Sequence, residues 1–296
     1  MAIAWVFPGQ GSQKLGMAAG VLELPGTRER FAEASALLGR DLLAVCSGEA
    51  TGELSDLNDT RNTQPALFVI ESLLVDSLKA QGRTADVVAG HSLGELVALY
   101  AAEVFDASTG LQLMKTRSEL MAAAGGGAMT AVMGFDRAEL DQLVAATEGV
   151  VIANDNSDAQ VVLSGTPEAV TAVSEQLKCK RAIALAVSGA FHSPFMQQAA
   201  DAFAAQLEAV PFADASIPVL SNTDPTPETS GAALKTRLCS QMTSGVRWRE
   251  TMQRFSADGI TTAVEIGPGN VLSGLIKRGC AGISTAPIAS AADLGL

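Results

Sequence analysis

Histidine and cysteine are scarce in this sequence of 296 residues, which contains two histidines and four cysteines. The cysteines stand far apart, at positions 46, 179, 239 and 280, with no Cys-x-x-Cys pair or mixed Cys/His spacing. This distribution excludes the common zinc-binding patterns and the dense disulfide frameworks of small secreted domains. We therefore predict free thiols in a reducing compartment and no metal site.

Long apolar runs and a basic leader are also missing. The first apolar run has about five residues, too short for a signal peptide, and no run approaches the roughly 18 apolar residues of a membrane span. Acidic residues outnumber basic ones by 32 to 20, which gives a formal net charge of −12. Because an acidic chain is repelled by nucleic acid and by anionic membranes, we expect a cytoplasmic protein that binds neither.

Apolar side chains, in contrast, are plentiful at 48% of the residues, enough for a large core. Residues 3–7 and 85–90 form short apolar runs typical of buried parallel strands. Residues 63–82 have apolar side chains at helical spacing, and we predict a helix there, capped by Thr63 and ended by a glycine. Apolar residues at helical spacing also follow position 92.

A run of three glycines within residues 122–129 marks a change in the pattern. Beyond it, strand-like and helix-like segments alternate in the order βαββαβ over about 60 residues, the order of a ferredoxin-like domain. A mixed α/β pattern returns after residue 189. The sequence thus predicts an α/β fold in which a small subdomain, residues 126–189, is inserted into a larger domain formed by residues 1–125 and 190–296.

The segment Gly90-His91-Ser92-Leu93-Gly94 falls between a predicted strand and a predicted helix. This is the context of a nucleophile elbow, in which a sharp turn exposes the serine and aims the next backbone N–H, here that of Leu93, at a developing oxyanion. The alternative is a serine that only caps the helix. The strand before Ser92 and the helix after it favour the nucleophile.

A serine hydroxyl needs a base, and the chain offers only His91 and His192. Alternation along the strand points His91 away from its neighbour Ser92. His192 therefore remains as the candidate base, to be oriented by either an Asp or a backbone carbonyl.

Two further residues are candidates for the site. Gln10 lies in the glycine-rich segment FPGQGSQ, where its backbone N–H is a possible second oxyanion donor, although an ordinary turn explains the glycines equally well. Arg117 lies on a predicted helix, where its fork would bind a carboxylate if it faced a cleft. From the residues alone, a solvated helix face is the simpler interpretation of Arg117.

Ten segments in order resemble the malonyl-CoA:acyl carrier protein transacylase family and the related acyltransferase domains of polyketide synthases. They span essentially the whole chain: FPGQGSQ, NTQPALF, AGHSLGEL, KTRSELM, GAMTAVMG, NSDAQVVLSG, GAFHSPFM, PVLSNTD, VRW and EIGPGNVLSGLIKR. The resemblance implies an α/β-hydrolase-like large domain, an inserted ferredoxin-like subdomain and an active site between them.

The resemblance also implies roles for individual residues. Ser92 would carry the acyl group, His192 would be the base, and Gln10 and Leu93 would form the oxyanion hole. Three more roles follow in the same way: malonyl carboxylate binding by Arg117, histidine orientation by the carbonyl of Gln241, and selection for malonyl over methylmalonyl by Phe191.

The implied partners are malonyl-CoA and acyl carrier protein, with no further cofactor. An acidic enzyme would dock an acidic carrier through local basic surface, and the candidates are Lys178, Lys180, Arg181, Lys277 and Arg278, which ordinary surface charge also explains. We expect the carrier to be that of fatty acid synthesis. The alternatives are a trans-acting polyketide acyltransferase, a serine esterase or thioesterase on the same elbow, and a non-catalytic carrier-binding module.

Overall fold

The computed structural model describes residues 2–187 and 189–296. The strands in these ranges are β1 (Ala2–Phe7), β2 (Val87–Gly90), β3 (Ala128–Phe135), β4 (Val150–Ser157), β5 (Gln160–Gly165), β6 (Cys179–Ala184), β7 (Val219–Leu220), β8 (Ile260–Ile266) and β9 (Ser284–Ile288). The α-helices are α1 (Thr27–Leu38), α2 (Leu42–Ser47), α3 (Thr60–Ala80), α4 (Gly94–Ala101), α5 (Ala107–Ala123), α6 (Arg137–Ala146), α7 (Pro167–Gln176), α8 (Gln197–Glu208), α9 (Gly231–Cys239), α10 (Trp248–Ala257) and α11 (Val271–Gly279).

The larger sheet is parallel and has the strand order β7-β2-β1-β8-β9. Its central strand β1 is buried from Ala4 to Phe7, because helices cover both faces, as parallel sheets require. The register pairs Phe7 with Gly90. The carboxyl ends of β1, β2 and β8 therefore lie side by side, and the loops that follow them share one edge of the sheet.

The smaller sheet is antiparallel, in the order β4-β5-β3-β6. Helices α6 and α7 pack on one face, where Val132, Leu140 and Val173 belong to a separate core. The other face presents Met129 and Ala131 to the main core of the molecule. The predicted α/β class is confirmed by this mixed architecture.

The chain enters and leaves the smaller sheet at one place. Gly127 lies against the backbone of Ala190, where a Cβ on the glycine would overlap the Ala190 nitrogen. Gly189 lies equally close to the carbonyl oxygen of Ala124. The two connecting segments are thus in backbone contact.

Helix α3 is the buried centre of the larger unit. The predicted cap Thr63 is wrong: the helix begins at Thr60 after Asp59, whose carboxylate accepts from the N–H of Arg61 at 2.9 Å. The hydroxyl of Thr63 donates instead to the carbonyl of Leu57. Proline at position 65 leaves the Arg61 carbonyl without its helical donor, and Arg40 supplies one at 2.6 Å.

No helix in the described part of the chain is both long and apolar enough to cross a bilayer.

Candidate active site

Ser92 lies at the sharp turn between β2 and α4. Its φ of 54° is in the left-handed region, which L-residues avoid unless the surroundings impose it. The turn is tight because Gly90 and Gly94 touch: a Cβ at Gly90 would overlap the carbonyl group of Gly94. Ser92 does not cap α4, since the N-cap is Leu93 and has no side-chain cap. The geometry is that of an elbow that exposes its hydroxyl.

His192 faces this hydroxyl across 100 residues of sequence, with Nε2 2.7 Å from Oγ of Ser92. Its other nitrogen, Nδ1, lies 3.0 Å from the carbonyl oxygen of Gln241 and 3.2 Å from that of Ser244. Because carbonyls only accept, Nδ1 carries the hydrogen and Nε2 is left to accept from the serine. The other histidine, His91, contacts Asn156 at 2.8 Å. Of the two histidines, the structure therefore places only His192 at the serine.

Burial keeps His192 neutral. The side chain is 3% exposed, and burial, with a smaller contribution from the Arg117 cation, lowers its pKa to about 3. The carbonyl contacts of Nδ1 oppose this shift only in part. A neutral imidazole beside a serine hydroxyl is the form that accepts a proton.

Arg117 is buried beside the serine, so the interpretation as a solvated helix face is wrong. Its Nη1 donates to Oε1 of Gln64 at 2.7 Å, and its Nη2 donates to Oε1 of Gln241 at 2.8 Å and to Oγ of Ser92 at 3.1 Å. All three acceptors are neutral. Burial lowers the pKa of the guanidinium to about 10, with the carboxylate of Glu95 opposing the shift. The site thus holds a desolvated cation at the Ser92 hydroxyl.

Sequence reasoning missed three groups that hold the elbow in place. The Asn222 side chain accepts from the N–H of Ser92 at 2.7 Å and donates to the carbonyl of Gly90 at 2.6 Å. Glu95 accepts from the Asn222 N–H and from Nε2 of Gln241. Gln241 was predicted for its carbonyl alone, yet its side chain joins the carboxylate of Glu95 to Arg117. All lie within segments that resemble the family or beside them, and only their burial marks them out.

The predicted oxyanion donors lie on two touching loops. Gly9 packs on the carbonyl of His91, with space for a Cβ only 2.6 Å from that oxygen. Within the described residues, neither the N–H of Gln10 nor that of Leu93 has a protein acceptor. Gln10 also lines a cleft of about 1050 Å³, and the largely buried Phe191 lies on its wall. The two N–H groups are therefore available to a substrate oxygen.

The five predicted docking residues lie on the surface. Lys178, Lys180 and Arg181 are exposed on and just before β6, an edge strand of the smaller sheet. Lys277 and Arg278 occupy the last turn of α11 and line a depression of about 410 Å³ together with Gln160 of β5. No group of three or more potential metal ligands occurs in the ranges that the structure describes.

Comparison with known proteins gives one consistent result. Residues 4–295 match the family model for the acyl transferase domain. The chain is 50% identical over 294 residues, 99% of both chains, to the malonyl CoA-acyl carrier protein transacylase of Synechocystis sp.. The crystal structure of malonyl-CoA:ACP transacylase from Synechocystis sp. PCC 6803 superimposes with a TM-score of 0.95 at 49% identity, covering 100% of this chain and 99% of that one.

A second solved structure contains a carrier protein. It is a type II PKS acyl-carrier protein in complex with its malonyl-transacylase, matched with a TM-score of 0.92 at 38% identity, over 99% of this chain and 98% of that one.

Proposed function

Because the chain belongs to the acyl transferase domain family, we propose that it transfers the malonyl group of malonyl-CoA to the phosphopantetheine thiol of acyl carrier protein, as an [acyl-carrier-protein] S-malonyltransferase. The observation that carries the proposal is the position of Ser92 Oγ, 2.7 Å from His192 Nε2 and 3.1 Å from the Arg117 guanidinium. A base and a cation on one hydroxyl suit a nucleophile whose acyl substrate bears a negative charge.

In the first half-reaction, His192 takes the proton of Ser92 as Oγ attacks the thioester carbonyl. The oxyanion that forms is stabilised by the N–H groups of Gln10 and Leu93. The C–S bond then breaks, His192 returns the proton to the departing CoA sulfur, and malonyl-Ser92 remains. Serine, imidazole and backbone amides supply every group that this exchange needs, so no cofactor enters the proposal.

In the second half-reaction, the carrier thiol gives its proton to His192 and attacks the malonyl ester. Breaking the ester C–O bond returns the proton to Ser92 Oγ and regenerates the enzyme. Because one product leaves before the second substrate reacts, ping-pong kinetics are expected.

Arg117 gives a physical reason for selecting a charged acyl group. Removing a carboxylate from water without a partner costs several kcal/mol, on the order of the penalties for buried ions. The guanidinium is bound only by neutral oxygens in the site, so its charge is free to pair with the malonyl carboxylate. Phe191, on the cleft wall, is placed to crowd an α-methyl substituent.

We also propose that the fold consists of a ferredoxin-like subdomain inserted into an α/β-hydrolase-like domain. The strand order β4-β5-β3-β6, with α6 and α7 on one face, supports a ferredoxin-like subdomain over residues 126–189. The parallel sheet with its elbow supports an α/β-hydrolase-like domain formed by residues 1–125 and 190–296. The cytoplasmic location and the choice between fatty acid and polyketide carriers stay predictions.

Intact-mass measurement after mixing with malonyl-CoA tests the proposal directly. The protein should gain one malonyl group, and Ser92→Ala should gain none. Arg117→Ala should lower the malonyl loading rate by about 100-fold, the upper range for a lost charge-assisted contact, while acetyl-CoA loading rises relative to malonyl-CoA.

Lys115→Ala, on the same helix and half-buried, is the matched control and should load as the parent protein does. A protein that never forms the adduct is a binding module. One that releases malonate to water as fast as to carrier protein, with no dependence on Arg117, is an esterase.

A further inference from the structure

The smaller sheet is joined to the larger unit beside the catalytic histidine, and one ion pair holds that junction. We propose that the Asp155–Arg249 pair is a positioning element for His192: it fixes the backbone segment 241–247, whose carbonyls set the tautomer of the imidazole. The inference rests on the proposed role of His192 as the base. It adds that the inserted subdomain supports the base.

The backbone of β4 is hydrogen-bonded to the larger unit. Strand β4 is an edge strand of the smaller sheet, and its free edge meets Val246 of the larger unit. The N–H of Val246 donates to the carbonyl of Ala153 at 2.8 Å, and the N–H of Asp155 donates to the carbonyl of Val246 at 2.9 Å. One residue of the large unit therefore serves as a short additional strand on the small sheet.

The approach at this junction is close. A Cβ on Gly245 would lie 2.8 Å from the carbonyl oxygen of Ile152, nearer than Cβ atoms normally come to backbone oxygens. Glycine at position 245 therefore lets the segment lie directly against β4, and the two hydrogen bonds of Val246 hold it there.

The Asp155 side chain locks the same junction. Its carboxylate is largely buried and accepts from Nη2 of Arg249 at 2.9 Å and from Nε at 3.1 Å. Arg137 donates to it at 3.0 and 3.3 Å. Arg249 is on α10 of the larger unit, whereas Arg137 is on α6 of the small one. Of the two ion pairs of Asp155, the one with Arg249 therefore connects the small unit to the larger one, and the one with Arg137 stays within the small unit.

Other charges at the junction leave this pairing intact. Arg137 also contacts the exposed Asp141, and Arg249 reaches the exposed Asp158 at 3.7 Å. The adjacent Arg247 pairs with Glu250. Asp155 is thus the buried anion that two guanidiniums share.

The locked segment carries the partners of the catalytic pair. Gln241 and Ser244 supply both carbonyls that bind Nδ1 of His192. The N–H of Arg247 donates to the carbonyl of Asn222 at 3.0 Å, and Asn222 holds the N–H of Ser92. Base and nucleophile are therefore both supported from the strip that β4 and Asp155 hold in place.

The test uses the tautomer of His192, which needs no substrate. Because the chain has only two histidines, their side-chain nitrogens are readily assigned in a long-range ¹H–¹⁵N spectrum. The parent protein should show His192 protonated at Nδ1 only. Arg249→Gln and Asp155→Asn should show the two nitrogen shifts converging as the tautomers exchange, with kcat lower by about 10-fold and KM for malonyl-CoA within about 2-fold.

Arg137→Gln is the matched control. It removes one guanidinium from the same carboxylate but leaves the Arg249 pair, so the tautomer and kcat should stay at parent values. If Arg249→Gln keeps the pure Nδ1–H tautomer and full kcat, the pair is only structural and the inference is wrong, whatever the melting temperature. If Asp155→Asn does not fold, the contrast between Arg249→Gln and Arg137→Gln decides. Failure of the proposed function would appear separately, as a parent protein with the expected tautomer and no malonyl adduct.

Discussion

Two strand-to-helix turns of this molecule are built alike but differ in whether their backbone N–H groups have acceptors. The elbow connects β2 to α4, and residues 267–270 connect β8 to α11. Both turns follow strands that pair with β1, and each has two glycines, which flank the elbow at positions 90 and 94 and lie within the second turn at 267 and 269. At the elbow, the N–H of Leu93 has no acceptor among the described residues. At the second turn, Glu265 accepts from the N–H of Leu272 at 2.9 Å and of Ser273 at 2.7 Å.

The difference supports the proposed function, in which the elbow serves catalysis and the second turn serves stability. The N-terminus of a helix attracts negative charge. At helix α11 this attraction is satisfied by the carboxylate of Glu265 on β8, so the N–H groups of Leu272 and Ser273 are not open to a ligand. Helix α4 follows a turn with an open N–H, which in the proposed function stabilises the oxyanion that forms during the reaction.

The largest effect should come from filling the space at the elbow. Gly90→Ala places a methyl group into the carbonyl of Gly94, and we expect a loss of about 3 kcal/mol or more in the free energy of unfolding, together with loss of malonyl loading. Gly269→Ala is the matched change at the second turn. A Cβ at position 269 would lie 3.5 Å from its nearest neighbour, so only the φ of 86° is strained. The loss in the free energy of unfolding should therefore be about 1 kcal/mol.

Chemical denaturation and intact-mass loading measure both variants. Equal losses for the two glycines would show that space is not what distinguishes the elbow.

A smaller effect is expected from neutralising the carboxylate at the second turn. Glu265→Gln keeps one acceptor but removes the charge and turns an amide N–H₂ toward a backbone donor. The free energy of unfolding should fall by about 1–2 kcal/mol, with malonyl loading unchanged. A changed loading rate with unchanged stability would contradict the view that this turn is structural.

The smallest effect concerns Glu71, behind the second turn. Its carboxyl is fully buried and has no hydrogen-bond partner in the described part of the chain, and burial, followed by the charge of Glu265, raises its pKa well above the usual value. The unfolded chain has a pKa near 4.5 at this position. The contribution of Glu71 to stability is therefore fully present below about pH 4.5 and is lost as the pH rises through the folded pKa.

Glu71→Gln removes this dependence. The melting temperature of the variant should exceed that of the parent by about 2–4 °C at pH 8, and the difference should vanish near pH 4.5. A constant difference across this range would mean that the pKa of Glu71 is the same in the folded and the unfolded protein.

How much of this structure the sequence predicts depends on how far apart in the chain the interacting residues are. The strand, Ser92 and the helix after it are neighbours in the chain, so their pattern predicts the turn. His192 was found because the alternatives were so few. The start of α3 was misplaced because Asp59 and Thr63 are both good caps, and the choice depends on whether the Thr63 hydroxyl finds the carbonyl of Leu57.

The side chains that support the site could not be predicted in this way, because their partners are distant in the sequence. Glu95 and Asn222 are ordinary polar residues in the sequence, and only tertiary packing buries them against the elbow. For Gln241, the carbonyl was predicted through the resemblance, but nothing local indicates that its side chain also contacts Arg117. Asp155 has no signal of its own, because both of its guanidinium partners are determined by how the two sheets meet.

The backbone contact between Gly127 and Ala190 has a practical consequence. Because the two ends of the inserted segment lie side by side, replacing the segment does not require the larger unit to change shape. Residues 128–184 can therefore be exchanged between relatives through two adjacent junctions. Chimeras built this way would keep Ser92 and the loops around it while exchanging the whole smaller sheet and its two helices.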